Sequence, residues 1–121
     1  MTRSRASAKK AGSGFERLIA DYLAKHVDDR IDRRVKTGAL DKSDIGGLRV
    51  HGQRGTIECK DYGGQFKVGT WLGEAEDERV NDGALVTLVA AKRRGTRDPG
   101  DQVVFMTARD LVALITGTRP D

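Results

Sequence analysis

Residues 44–60, DIGGLRVHGQRGTIECK, decide the fold. The run opens on an acid, continues as a strand to about Val50, turns at His51 and Gly52, and returns from Gln53 to Lys60 through Thr56 and Ile57. Two extended runs separated by a turn dipeptide predict a β-hairpin. Successive side chains on a strand point to opposite faces, so Glu58 and Lys60 project together while Ile57 and Cys59 point the other way. Asp44 opens the neighbouring strand, which lets a second carboxylate approach Glu58.

Outward from this hairpin the pattern is regular. Upstream, Phe15, Leu18, Ile19, Tyr22, Leu23 and Val27 recur at helical spacing and predict an amphipathic helix capped by Ser13. Alternation over 31–36 predicts a first strand, with a loop over 37–43. Downstream, glycines at 63 and 64 break the strand, and Val68, Trp71, Leu72 and Ala75 mark one face of a second helix ending near 81–83. Residues 84–91 form a short apolar run rich in β-branched residues, as in a strand covered on both faces. After a polar loop over 92–101, residues 102–106 predict a fifth strand. Thr107 then caps a final helix lined by Leu111, Val112, Leu114 and Ile115 and stopped by Gly117. The order α-β-β-β-α-β-β-α predicts an α/β fold, a mixed five-stranded sheet with flanking helices in about three layers.

With 121 residues there is one domain's worth of chain, assigned to 14–121, preceded by a basic, disordered arm over 1–13. No apolar run approaches the ~18 residues that span a bilayer, so neither a membrane protein nor a secreted one is expected, and a cytoplasmic location follows. The lone Cys59 makes no internal disulfide and no cysteine-based zinc site. The formal charge of +4 is concentrated before Glu16, where Arg3, Arg5, Lys9 and Lys10 meet no acid. Such an arm suits a phosphate backbone, although a solubilising leader has the same composition. Arg30, Arg33, Arg34 and Lys36 form a second basic cluster, read either as a solvated strand edge or as a DNA contact.

Converging carboxylates beside a lysine are what a hard divalent cation and a hydrolytic water require; a cross-strand salt bridge on a solvated face fits the same spacing. Glu16 shifts that balance. In helical projection it falls between Leu23 and Val27, inside the apolar arc, where a carboxylate is either paired or part of a site. Other candidates are weaker. His26 and His51 lack ligand spacing, Trp71 fits a core or a dimer interface, and Asp28, Asp29 and Asp32 read as a solvated run at a helix end. Gly46 and Gly47 mark a strand irregularity or a close-packing point.

Glu16 in a first helix, Ser43-Asp44-Ile45 opening a strand, and Ile57-Glu58-Cys59-Lys60 closing a hairpin together resemble the PD-(D/E)XK nuclease superfamily. Within it the chain is most similar to the archaeal-type Holliday junction resolvases and their phage relatives, over about residues 12–117. The resemblance implies a restriction-endonuclease-like core and a metal-dependent endonuclease that cuts four-way DNA junctions. It implies that Asp44, Glu58 and the Cys59 main-chain carbonyl hold Mg2+, with Mn2+ substituting, and that Glu16 binds directly or through a water. Lys60 is implied to position the attacking water, and the products to carry a 5′ phosphate and a 3′ hydroxyl. Paired cuts imply a homodimer on branched or duplex DNA, and small size with a stand-alone nuclease domain suggests a phage or prokaryotic source. Lys42 or Ser43 would reach the scissile phosphate and Gln65 and Lys67 would touch backbone phosphate, although an ordinary loop over 37–43 and solvated polar side chains at 65 and 67 fit the same residues, the latter better. Ser43 stands where the name-giving proline would sit. Alternatives on the same residues are a nicking or repair nuclease, and a DNA-binding protein without catalysis.

Overall fold

The structure, a computed structural model, describes residues 4–35 and 42–120; Arg3, Lys36 and the loop positions 37–41 lie outside the described residues. Helix α1 spans Arg5–His26, starting well before the expected cap at Ser13. Ser4 is the cap instead, its hydroxyl oxygen accepting from the Ser7 N–H at 3.1 Å. The reason is propensity. Ala6, Ala8, Lys9, Lys10 and Ala11 favour a helix strongly enough to carry it through Gly12 and Gly14. The basic arm is therefore helical from Arg5 onward, in place of the expected disorder.

Among the described residues the sheet contains six strands in place of five. These are β1 (Asp32–Arg33), β2 (Ile45–Gly46), β3 (Arg49–Val50), β4 (Gln53–Lys60), β5 (Val86–Ala91) and β6 (Val103–Phe105). The expected strand over 44–50 is split into β2 and β3 by Gly47, whose φ of +85° interrupts the ladder. A Cβ there would lie 2.4 Å from the Arg30 carbonyl oxygen, so only glycine allows this approach. His51 and Gly52, with φ of 51° and 73°, form the tight turn between β3 and β4.

Strands run in the order β1-β2-β4-β5-β6, with β3 pairing on β4. The β1–β2, β2–β4, β3–β4 and β5–β6 pairs are antiparallel, while β4 and β5 are parallel and are joined by helix α2 (Val68–Asp82). A parallel pair requires such a crossover, which covers one face of the sheet. Trp71 and Ala75 of α2 pack on Val89 and Ala91, while Phe15, Ile19 and Ala20 of α1 pack with Ile45, Ile57, Cys59 and Ala90 on the other face. Helix α3 (Ala108–Thr116) is capped by Thr107 and ends at Gly117, and Ala113 packs on Leu85 and Val86. The protein is thus a mixed α/β fold. Among the described residues no helix is long and apolar enough to cross a membrane.

Gly47→Ala tests the split strand. Forcing an alanine into this left-handed backbone costs about 1–3 kcal/mol, and the clash with Arg30 adds to it. Urea unfolding should show a lower midpoint with an unchanged slope; an unaltered midpoint would mean that β2 and β3 can rejoin as one regular strand.

Candidate active site

Because β4 lies between β2 and β5 and between two helices, its side chains are buried on both faces. Ile57 and Cys59 face α1; Thr56, Glu58 and Lys60 face α2. Ile45 stands opposite Ile57. This register brings Asp44 beside Glu58 and Cys59, and the Asp44 Oδ2 accepts from the Cys59 N–H at 2.9 Å. Asp44 and Glu58 are 3% and 7% exposed, so neither carboxylate is solvated.

A third carboxylate joins them. Glu78 of α2 is 2% exposed and shares hydrogen bonding with Glu58, as does Asp44. Burial first, and then these two neighbours, push the Glu58 carboxyl far above the ordinary carboxylate range, so it holds a proton at neutral pH. A hydrogen bond between two carboxyl groups needs that proton. Cys59 lies in the same field: burial, followed by Asp44, Glu16, Glu58 and Glu78, pushes its thiol up and keeps it protonated.

Lys60 sits at the carboxyl end of β4, half-buried, with Nζ 3.2 and 3.3 Å from the two Glu74 oxygens and 5.9 Å from the centre of the Trp71 ring. Burial pulls the ammonium down, but Glu58, Glu74 and Tyr62 together outweigh it and leave its pKa raised. It is therefore a cation at neutral pH, suited to stabilising negative charge and not to accepting a proton.

Glu16 reaches this region from the α1 side. Its carboxylate receives the Arg33 Nε at 3.2 Å, and its field reaches Cys59. Glu16 and Arg33, with Lys9, Arg17 and Arg34, border an open cleft of about 590 Å3 between α1 and β1. Arg34 is committed elsewhere: its guanidinium makes a two-pronged pair, at 2.9 and 3.0 Å, with the buried Asp82 at the end of α2. Arg5, Lys9 and Lys10 are exposed along the first turns of α1, and Lys42 is exposed before β2.

Ser43 is buried, with its hydroxyl donating to the Ile45 carbonyl at 3.1 Å, so the side chain turns inward. Its φ of 119° is one that proline, locked near −65°, cannot adopt. Gln65 and Lys67 are exposed beside the end of β4. Trp71 is core, the His51 Nε2–H donates to the Leu114 carbonyl at 2.9 Å, and His26 packs on Tyr22. Asp28 and Asp32 are in surface pairs with Arg30 and Arg17.

The structure therefore brings Asp44, Glu58 and Lys60 together, with Glu16 at the margin. Glu78 and Glu74 were missed by the sequence pattern. Glu78 could have been found, because it follows Trp71 and Ala75 at helical spacing and so falls inside the apolar arc of α2, the same argument that singles out Glu16. Among the described residues no group of three or more His, Cys, Asp and Glu side chains is arranged to hold a metal ion. No protein-family model, curated protein or solved structure matches the chain.

The protonated Glu58 makes stability depend on pH. Its folded pKa lies above its unfolded one, so the folded state binds the extra proton; this contribution is complete below about pH 4.5 and is lost progressively as pH rises. In metal-free buffer the melting temperature should fall from pH 5 to pH 9, and Glu58→Gln should flatten that fall. A variant with the wild-type profile would show that Glu58 ionises freely in the fold.

Proposed function

We propose that the chain is a metal-dependent endodeoxyribonuclease with the PD-(D/E)XK arrangement on a restriction-endonuclease-like core, acting on branched DNA and resolving four-way junctions as a homodimer. The observation that carries the reading is the convergence of two buried carboxylates, Asp44 at the head of β2 and Glu58 near the end of β4, with Lys60 on the same face. A solvated cross-strand salt bridge would leave these groups exposed, and the lysine would pair with Glu58 in place of Glu74.

The donor set suits a hard divalent ion. Asp44, Glu58 and the Cys59 carbonyl would hold it through oxygen alone, as Mg2+ or Mn2+ prefers, with Glu16 contributing directly or through a water. The proton that Glu58 now holds would leave when such an ion takes its place. When bound, the ion supplies Lewis acidity to the scissile phosphate. The remaining work belongs to the chain. Lys60, kept cationic by its carboxylate neighbours, orients the attacking water and stabilises the charge developing on the phosphorane. The exposed Arg5, Lys9 and Lys10 on α1, and Arg33 at the cleft, carry the phosphate backbone toward Glu16. A 5′ phosphate and a 3′ hydroxyl would result.

A DNA-binding protein without catalysis is the second reading, and the lack of a ready-made metal-holding group among the described residues favours it. Cleavage separates the two. A synthetic four-way junction and a linear duplex of the same sequence are offered with and without Mg2+. Paired cuts near the junction centre are expected, with Asp44→Asn, Glu58→Ala and Lys60→Ala each reducing the rate about a hundredfold or more. Equal cutting of both substrates would reject junction selectivity; no cutting with Mg2+ or Mn2+ would leave the binding protein.

A further inference from the structure

Two loops leave the carboxyl ends of the parallel strands β4 and β5 and meet there. Residues 61–67 follow Lys60, and residues 92–98 follow Ala91. They are tied together: the Lys92 N–H donates to the Lys60 carbonyl at 2.9 Å, and the Arg94 guanidinium donates to the Gly63 carbonyl at 3.3 and 3.4 Å. Gly64, at φ +91°, comes so near that a Cβ would stand 2.8 Å from the Arg94 Cβ. The second loop is braced from within. The Gln102 side chain accepts from the Arg93 N–H at 2.7 Å and donates to the Thr96 and Asp98 carbonyls at 3.2 and 2.8 Å.

The bracing turns cations outward. The Lys92 ammonium is spent on the Arg93 and Thr96 carbonyls, but Arg93, Arg94 and Arg97 are exposed. Arg93 and Arg94 are held by neutral carbonyls, of Asp101 and Gly63, which fix the guanidinium groups without cancelling their charge. On the facing loop Tyr62 and Phe66 are 47% and 44% exposed, an unusual state for aromatic side chains on a chain with only six aromatics besides histidine. The Tyr62 ring rests 5.1 Å from the buried Trp71, and the Lys67 Nζ lies 5.5 Å from the centre of the Tyr62 ring. The surface is thus a braced set of exposed aromatics and cations beginning at the residue after Lys60.

We propose that this paired-loop surface binds unpaired DNA, with bases stacking on Tyr62 and Phe66 and phosphates held by Lys67, Arg93, Arg94 and Arg97. The proposal deepens the nuclease reading and rests on it for the choice of DNA as ligand. Open α/β sheets bind ligands outside the carboxyl ends of their parallel strands, which is where these loops lie. Stacking needs an exposed base face, which a single strand offers and a closed duplex hides, and it tolerates any sequence because every base has such a face. Here the cations supply affinity and the aromatics select the unpaired strand. Such a surface would hold a strand separated at a branch point next to Lys60.

The test uses the full chain in EDTA, with binding of fluorescent oligo-dT and of a duplex of equal length read by anisotropy across a salt series. Phe66→Ala and Tyr62→Ala should each weaken oligo-dT binding at least about fivefold while changing duplex binding by less than about twofold. The double variant Arg93→Ala/Arg97→Ala should weaken both and reduce the oligo-dT salt slope by about 1.4. Far-UV circular dichroism and the melting temperature verify that the variants are folded. Wild-type oligo-dT affinity in both aromatic variants, or equal losses on the two probes, would overturn base stacking. An unchanged salt slope would remove the 92–98 loop from the surface. Because no metal is present, these outcomes are independent of cutting: a chain that cleaves but binds oligo-dT indifferently to Tyr62 and Phe66 sinks only this proposal, whereas selective oligo-dT binding without cleavage sinks only the nuclease.

Discussion

Strand β4 must be dry on both faces and yet carry Glu58. The strand lies between β2 and β5 in the sheet and between α1 and α2 across it, so each of its side chains from Gly55 to Cys59 is buried. An ionised carboxylate in that position would cost several kcal/mol. The fold resolves the conflict by packing Glu58 against Asp44 and Glu78 and leaving a proton among them. Lys60, one step toward solvent, remains charged beside the Glu74 carboxylate, whose two oxygens lie 3.2 and 3.3 Å from its Nζ. The chemical character of the site, an acid cluster sharing a proton beside a fixed cation, follows from where the sheet places this one strand.

Strands β1, β2, β3 and β6 are only two or three residues long, and buried aspartates supplement the few ladder hydrogen bonds they make. Asp82 at the end of α2 receives both prongs of Arg34, which follows β1, and so ties the outer antiparallel strands to the crossover helix. Asp110 at the start of α3 accepts from the Thr87 N–H at 3.1 Å, from the Thr107 hydroxyl at 2.8 Å and from Arg119 at 2.6 Å, fastening α3 to β5. Pairs of this kind add little net stability over apolar packing, but losing one partner strands a buried charge, so they penalise any other register. Arg34 illustrates how a basic residue that reads as a DNA contact can be consumed by architecture.

Much of the fold was legible in short windows of sequence. The 53–60 strand, the start of the helix at Val68, the Thr107 cap and the Gly117 stop all stand where periodicity and capping chemistry place them. The failures were also local in origin. The cap read at Ser13 put the helix start too late, because the alanine-rich segment before it carries the helix through Gly12 and Gly14; the irregularity read at Gly46 and Gly47 is real, but it divides the strand expected over 44–50 into β2 and β3. For the site, alternation along β4 sufficed to pair Glu58 with Lys60, whereas Glu78 and Glu74 belong to a helix whose orientation no strand pattern specifies.

Residue periodicity and turn chemistry were enough to establish an α/β element order and to nominate Glu16, Asp44, Glu58 and Lys60, because both act between residues a few positions apart. Which strands are neighbours, and that β4 and β5 run parallel, depended on contacts between segments some thirty residues apart. So did the fate of each charge. Whether Glu58 is a solvated ion or a buried acid, whether Arg34 is free or bound to Asp82, and whether Gly63 and Gly64, between Tyr62 and Phe66, end up against Arg94 are questions of burial and proximity in three dimensions. Desolvation scales with the water excluded around a group, and that quantity exists only once the helices have packed on the sheet.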